Sequence, residues 1–283
     1  MRPPSVREAL AESSRRLEQE GVLHPFWDAV LLLSDATKLD KAILLGHQER
    51  ELSFGEDQAF ARAVARRASR EPLQYIRGVQ EFWGRRIEVG PGCLIPRPET
   101  EHLVEAALEC IRDVERPLIL EAGTGSGCLL AAIASERPDA LAAGVDSDDS
   151  ALGWTARNTA GLPNVRLARC DFYGPCPFSD LDLLVSNPPY ITPEEWPLLM
   201  PEVRDFEPRA ALLVDGCDPL TPYRALARWA EQALKPGGFL AAEAGTAQAR
   251  RASALRHISP RLEWVQGIRD LSRHLRVAVW KMK

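Results

Sequence analysis

Long apolar runs are missing from this chain of 283 residues. None approaches the roughly 20 residues that a helix needs to span a bilayer, so no membrane association is expected. Metal-binding spacings are missing too. The six cysteines, Cys93, Cys110, Cys128, Cys170, Cys176 and Cys217, form no CxxC pair, and no histidine lies near them at ligand distance. A zinc site is therefore not expected, and scattered cysteines fit a reducing compartment better than a disulfide framework. A basic excess is lacking as well: 35 Lys and Arg face 40 Asp and Glu, for a net charge of -5. Proteins that grip long nucleic acid draw most of their affinity from phosphate neutralisation, so stable nucleic-acid binding is not expected. The five histidines gather in no catalytic-looking cluster. The first residues carry Glu8 and Glu12 and no apolar signal core, so the N-terminus reads as that of a mature protein.

What is present is enough apolar material for a real core, 45% of the residues. Residues 1–72 read as a small all-helical domain. Ser5 can cap a helix that Gly21 stops, and Pro25 suits the first turn of a second helix carrying Val30, Leu31, Leu32 and Leu33. Ser53 and Glu56 form a capping box that opens a helix through Arg70. On that helix Arg62, Arg66 and Arg70 recur every fourth residue, as a solvated face or as a partner-binding stripe. Residues 73–98, broken by Gly78, Gly84, Gly90 and Gly92, read as a β-hairpin-like linker with Ile87 and Val89 alternating.

From residue 99 to 283 strands and helices alternate. Strands are expected at 118–122, 140–145, 165–168, 181–186, 239–244, 262–266 and 275–280. Helices are expected at 99–111, 128–137, 148–159, 220–234 and 247–258, with none between the last two strands. This order implies an α/β fold, a seven-stranded Rossmann-like sheet that is mostly parallel with one antiparallel member.

Two motifs sit at strand ends. The first is Glu121-Ala122-Gly123-Thr124-Gly125-Ser126-Gly127, opening a helix. Glycines there permit a tight turn and a close ligand approach, at the place where open α/β sheets bind ligands. The third glycine comes one position too early for the dinucleotide fingerprint, and no Gly-Lys-Ser/Thr follows as in a P-loop. The spacing instead resembles the nucleoside-methionine loop of class I methyltransferases. Asp146, ending the next strand 23 residues after Gly123, can accept both ribose hydroxyls of such a cofactor. Asp171 can accept from the adenine amine and Phe172 can pack on its ring.

The second motif is Asn187-Pro188-Pro189-Tyr190 after the fourth strand of the alternating region. Two prolines remove two backbone donors and hold φ near −65°. The Asn187 side-chain oxygen and the Pro188 carbonyl then make a rigid pair of acceptors, matching the two coplanar hydrogens of a planar –NH₂ group. Accepting both hydrogens draws electron density onto an otherwise poorly nucleophilic nitrogen, and Tyr190 can stack against the group. Catalysis would be positioning plus electrostatics, with no metal and no strong base.

With Glu71–Ile76, Glu81-Phe82-Trp83-Gly84, Leu94-Ile95-Pro96-Arg97-Pro98-Glu99-Thr100-Glu101 and Phe206-Glu207-Pro208 added, the chain resembles the release factor glutamine methyltransferases, called HemK or PrmC, over nearly its whole length. The resemblance implies transfer of a methyl group from S-adenosylmethionine, leaving S-adenosylhomocysteine. The acceptor it implies is the side-chain amide N5 of the glutamine in the Gly-Gly-Gln loop of class-1 release factors. It implies that Asn187, Pro188, Pro189 and Tyr190 hold the glutamine amide. It further implies that Glu121, Gly123, Thr124, Gly125, Ser126, Gly127, Asp146 and Phe172 hold the cofactor, with the helical domain contacting the factor's body. Glu121 stands where the family usually has Asp, and Phe172 where it often has Trp. Asp270 and Arg276 near the C-terminus match the family, with bulkier residues between. Asn-Pro-Pro-Tyr alone is shared with enzymes that methylate adenine N6 in nucleic acid, and a related class acts on a ribosomal-protein glutamine. A methyltransferase fold without catalysis is the third reading. A monomer in the bacterial cytoplasm is expected.

Overall fold

In the computed structural model, residues 2–214, 216, 218–270 and 272–283 are described; Cys217 and Leu271 lie outside them. The chain forms two compact units. The first comprises Met1–Val79 with Met200–Phe206, and the second Gln80–Leu199 with Glu207–Lys283. Residues 73–98 are thus divided between the two units, and a short segment from late in the chain counts with the first.

Unit one is built of helices at Val6–Gln19, Pro25–Thr37, Lys41–Gly46, Phe54–Ala68, Leu73–Arg77 and Pro201–Arg204. Capping boxes open two of them, Ser5 with Glu8 and Ser53 with Glu56. Each satisfies two otherwise orphaned backbone donors. Val6, Leu10 and Leu17 recur on one face and pack with Val30, Leu33, Leu44, Phe60 and Val64 in a continuous apolar core. The helix Leu73–Arg77, ended by Gly78 at φ 73°, replaces the strand-and-turn structure expected there, because Pro72 opens a helical turn before the hairpin begins.

The arginine stripe divides by partner. Arg62 is exposed. Arg66 pairs with Glu71 at 2.5 Å, and Arg70 with Glu202 at 2.6 Å. Arg67, outside the stripe, is buried and bridges Asp28 at 2.8 Å and Glu202 at 2.9 Å. Its Nη1 also donates to the Glu71 carbonyl.

In unit two, strands β1 (Val79–Phe82, entered from unit one) and β2 (Arg85–Glu88) form a hairpin. Its two-residue loop, Trp83 at φ 50° and Gly84 at φ 64°, has the left-handed backbone that matches strand twist. The main sheet runs through β3 (Leu118–Ala122), β4 (Leu141–Asp146), β5 (Val165–Arg169), β6 (Leu181–Ser186), β7 (Leu234–Glu243), β8 (Leu262–Arg269) and β9 (Leu275–Met282). Among the described residues its order is β5-β4-β3-β6-β7-β9-β8, and β9 is the antiparallel member. The strand order reverses between β3 and β6, which opens a crevice beyond their carboxyl ends.

Two expectations are corrected. The stretch expected as one helix at 247–258 is two short helices, Thr246–Arg250 and Ala252–Arg256, broken at Arg251. The segment Lys235–Gly238, expected to lie before the strand, is part of β7, with a register shift opposite Leu181–Leu183 that absorbs Pro236 and Gly237 (φ 85°). No helix of the described residues is long and apolar enough to cross a membrane.

Arg67→Ala should destabilise unit one by about 3 kcal/mol in denaturant unfolding, because it leaves Asp28 buried without its cation and Glu202 with Arg70 alone. Arg62→Ala should change it by less than about 0.5 kcal/mol. Equal effects would show that the buried bridge carries no stability.

Candidate active site

The glycine loop hangs on the carboxyl ends of β3 and β4. Gly123 and Thr124 both donate from their backbone to the Val145 carbonyl, at 2.8 and 3.1 Å. Gly123, Gly125 and Gly127 have φ of 75°, 54° and 76°, a backbone that side chains resist. At Gly127 a Cβ would also meet the Thr155 backbone at 2.8 Å. The Thr155 hydroxyl lies 2.9 Å from Thr124 Oγ1 and ties the loop to the helix Asp149–Thr159. Asn158 on the same helix bonds both the Glu88 backbone and the Ser126 carbonyl, locking the loop to the hairpin.

Asp146 accepts from Gly125 N–H at 2.9 Å with one oxygen and from Asp148 N–H at 3.0 Å with the other. Each oxygen keeps a second lone pair. Burial raises its pKa above the usual carboxylate value, against the pull of those donors. Glu121 is 2% exposed, and burial pushes its pKa well up. The Leu130 N–H, in the first turn of the helix Cys128–Glu136, faces its carboxyl. Its Oε2 is buried without a partner in the chain.

Across the crevice β6 ends at Ser186, whose hydroxyl donates to the Ala122 carbonyl at 2.6 Å. Asn187 follows. Its Nδ2 donates to Thr100 Oγ1 at 3.4 Å, while its Oδ1 is buried and has no partner in the chain. One cavity of about 270 Å³ is lined by both motifs: Glu121, Gly123, Thr124, Gly125, Ser126, Asp146, Asp171 and Phe172 on one side, Asn187, Pro188 and Pro189 on the other. Ile95, Arg97 and Thr100 complete the wall with Pro208, Ala211 and Leu213.

Two sequence candidates stand off the wall. Gly127 serves as the left-handed N-cap of the helix behind the loop. Tyr190 packs against Gly245, where an added Cβ would lie 2.7 Å from its ring, and its backbone carbonyl accepts from Gln248. Burial drives its phenol pKa up. Asp171 is exposed and accepts from the Tyr173 N–H at 2.9 Å. Phe172 is buried and stacks on Tyr173 with centroids 4.6 Å apart.

Most of the wall and support residues lie in the segments that carry the resemblance, where Arg97 and Glu99 read either as ordering the cofactor's entrance or as a loop-anchoring salt bridge; Glu243 had no mark in the sequence. Glu207 is 1% exposed at its side chain, accepts from Ile95 N–H at 3.0 Å and pairs with Arg97, which anchors the loop that forms one wall. Glu99 lies 4.0 Å from Arg276, itself bonded to Asp270 at 2.8 Å. Glu243, ending β7, is buried beside Thr100 and Tyr190, and burial raises its carboxyl to about 7. A buried carboxylate surrounded by hydroxyls was the one signal available for it, and a strand-terminal Glu in sequence does not carry that information. Trp154 is half-buried and donates to the Pro91 carbonyl at 3.2 Å.

The donor set fits a nucleoside-methionine ligand. Carboxylates at Asp146 and Glu121 suit a diol and an ammonium, Phe172 and Leu129 offer apolar packing, and space beside Gly125 is open to 4 Å. The unpartnered oxygens of Glu121 and Asn187 are polar atoms without a protein donor, and buried acceptors of this kind ordinarily have one.

Residues 8–78 match the PrmC N-terminal domain and residues 102–198 the methyltransferase small domain. The hMettl16 catalytic domain, solved in complex with a MAT2A 3′UTR hairpin, shares the fold at TM-score 0.55 and 15% identity, over 77% of this chain and 81% of that one. A release factor glutamine methyltransferase of Nitratidesulfovibrio vulgaris is 40% identical over 96% of this chain and 95% of its own length. That of Cereibacter sphaeroides is 40% identical over 88% of each. With 40% identity over 96% of the chain and 95% of the relative, the chain belongs to the release factor glutamine methyltransferase family.

Proposed function

We propose that this protein methylates the side-chain amide N5 of the glutamine in the Gly-Gly-Gln motif of class-1 peptide chain release factors. The observation that carries the reading is the buried, unpartnered Asn187 Oδ1 on a wall shared with the glycine loop. An acceptor left without a donor costs free energy unless a ligand donates to it, and a primary amide brings two donors.

When bound, S-adenosylmethionine supplies an electrophilic methyl group on a sulfonium and leaves as S-adenosylhomocysteine. Gly123, Thr124, Gly125 and Ser126 present backbone to it. Asp146 takes the ribose diol, Glu121 the ammonium, and Phe172 with Asp171 the adenine. Asn187 Oδ1 and the Pro188 carbonyl accept the two hydrogens of the glutamine amide, orienting its nitrogen lone pair towards the methyl group. Pro189 stiffens that pair of acceptors. The Tyr190 ring packs at Gly245 and takes no stacking role on the amide. The nitrogen gains a carbon and then gives up one hydrogen as a proton to water, so no protein base is needed. The helical region 1–72 contacts the body of the factor, and the protein works as a monomer in the bacterial cytoplasm.

Mixing the purified chain with a release factor and S-adenosylmethionine should add one methyl group to the glutamine-containing tryptic peptide, read by mass spectrometry. Methyl label on a ribosomal-protein glutamine or on adenine of nucleic acid, with none on the factor, would replace this reading. Asn187→Ala should keep cofactor affinity within about threefold and lose at least about 100-fold in kcat, through loss of one positioned acceptor. Asp146→Ala should show the opposite pattern in calorimetry. Its cofactor affinity should fall at least about tenfold, since hydrogen bonds to a charged acceptor contribute roughly 1.5–3 kcal/mol.

A further inference from the structure

We propose that Thr100 and Glu243 are positioning residues for methyl transfer. They form a buried relay that fixes which end of the Asn187 side-chain amide faces the cavity. This rests on the reading of Asn187 as the acceptor for the glutamine amide.

A side-chain amide is nearly symmetric in shape and can turn over about its last torsion. Turned one way, Asn187 offers an oxygen to the substrate –NH₂ and binds it. Turned the other way, it offers hydrogens to hydrogens and repels it. Something must therefore hold its Nδ2 away from the cavity. Thr100 Oγ1 does so, accepting from Nδ2 at 3.4 Å. Thr100 is 2% exposed and terminates the turn Pro98–Thr100.

A hydroxyl can equally donate, so Thr100 alone does not choose. It has one proton, and it accepts reliably from Asn187 only if that proton is committed elsewhere. The group facing it is Glu243, 2% exposed, with one carboxyl oxygen lacking any partner in the chain. Sheet register accounts for the meeting. Ser186 pairs with Ala242 across parallel strands, so the next residues, Asn187 and Glu243, leave the sheet side by side. An ionised Glu243 can only accept. It accepts a hydrogen bond from the Thr100 hydroxyl, Thr100 then accepts from Nδ2, and Oδ1 is turned to the cavity. A protonated Glu243 can donate to Thr100, which frees the Thr100 proton to reach Oδ1 and turns the amide over.

The charged and titratable groups around Glu243 are Arg276 on β9, Glu99 on the Pro98–Thr100 turn, Tyr190 after β6, Cys128 opening the helix Cys128–Glu136 and Tyr223 on the helix Thr221–Ala233. The Tyr223 hydroxyl donates to its backbone carbonyl at 2.7 Å. Burial, the largest influence, opposes the ionised form, as does Glu99, while the Thr100 hydroxyl, Arg276 and the Tyr190 hydroxyl favour it; the balance leaves the carboxyl at about 7. The relay is thus set in one direction above neutrality and released below it.

Two readouts test this. The first needs no substrate: the side-chain amide pair of Asn187 in a proton–nitrogen correlation spectrum of the full chain, assigned by its disappearance in Asn187→Ala. It should move with pH around a midpoint near 7. The movement should vanish in Glu243→Gln, and in Thr100→Val the pair should lose its bonded shift at every pH. The second readout is kinetic. Glu243→Gln and Thr100→Val should each lower kcat at least about tenfold with KM for S-adenosylmethionine unchanged, and Thr100→Ser should recover most of the loss. An Asn187 pair that ignores pH in the unaltered protein overturns the relay without any variant having to fold. So does a Thr100→Val protein with full kcat. If the amide pair behaves as described but the unaltered chain methylates no glutamine, the relay stands and the assigned substrate falls.

Discussion

The site depends on one close approach, the Ser186 hydroxyl donating to the Ala122 carbonyl at 2.6 Å. It ties together the ends of β3 and β6, the two strands between which the sheet order reverses. Loops leaving opposite sides of such a reversal diverge, and the crevice between them is where open α/β sheets take ligands. Because Ser186 and Ala122 are pinned, the glycine loop that follows Ala122 and the Asn-Pro-Pro segment that follows Ser186 start from neighbouring points. Both consequently face one cavity. Everything assigned to the site presupposes that adjacency.

Around the pinned pair the structure invests in rigid support. Val145 receives two backbone donors from the loop, Asp146 holds Gly125, Thr155 and Asn158 brace it from the helix behind, and Glu207 holds the Ile95–Arg97 wall. The only buried side-chain N or O atoms left without a partner on the cavity wall belong, among the described residues, to Glu121 and Asn187. Catalysis by positioning works through such pre-set groups, which need no reorganisation when charge develops. Glu243 lies close to Asn187, and burial there carries a desolvation cost that raises its pKa to about 7.

Much of this was legible in the chain itself. The alternation of strands and helices, the mostly parallel sheet with one antiparallel member, both capping residues Ser5 and Ser53, and the strand-terminal positions of Asp146 and Asn187 all follow from local rules. Periodicity, caps and turn residues act over a few neighbours, so a sequence displays them. The misplacements have local causes too. The helix Leu73–Arg77 is five residues long, too short for a periodic signal, and Pro236 in β7 breaks a rule that a bulge relaxes. Tyr190 reads as a stacking ring because it adjoins the motif, but Gly245, far along the chain, leaves room for the ring to pack away from the cavity.

By itself, then, the sequence determined which chemistry is present: a glycine turn that only small residues tolerate, carboxylates at strand ends, and a proline-stiffened pair of acceptors. Those properties are intrinsic to residue type and to neighbours within a few positions. Only the tertiary structure decided which groups are partnered. Arg67 rather than Arg62 meets Asp28 and Glu202, and Asn187 spends its Nδ2 on Thr100 while its Oδ1 stays open. Such pairings join residues 39, 135 and 87 positions apart. They are set by sheet register and by burial, and neither is encoded in any one stretch of chain.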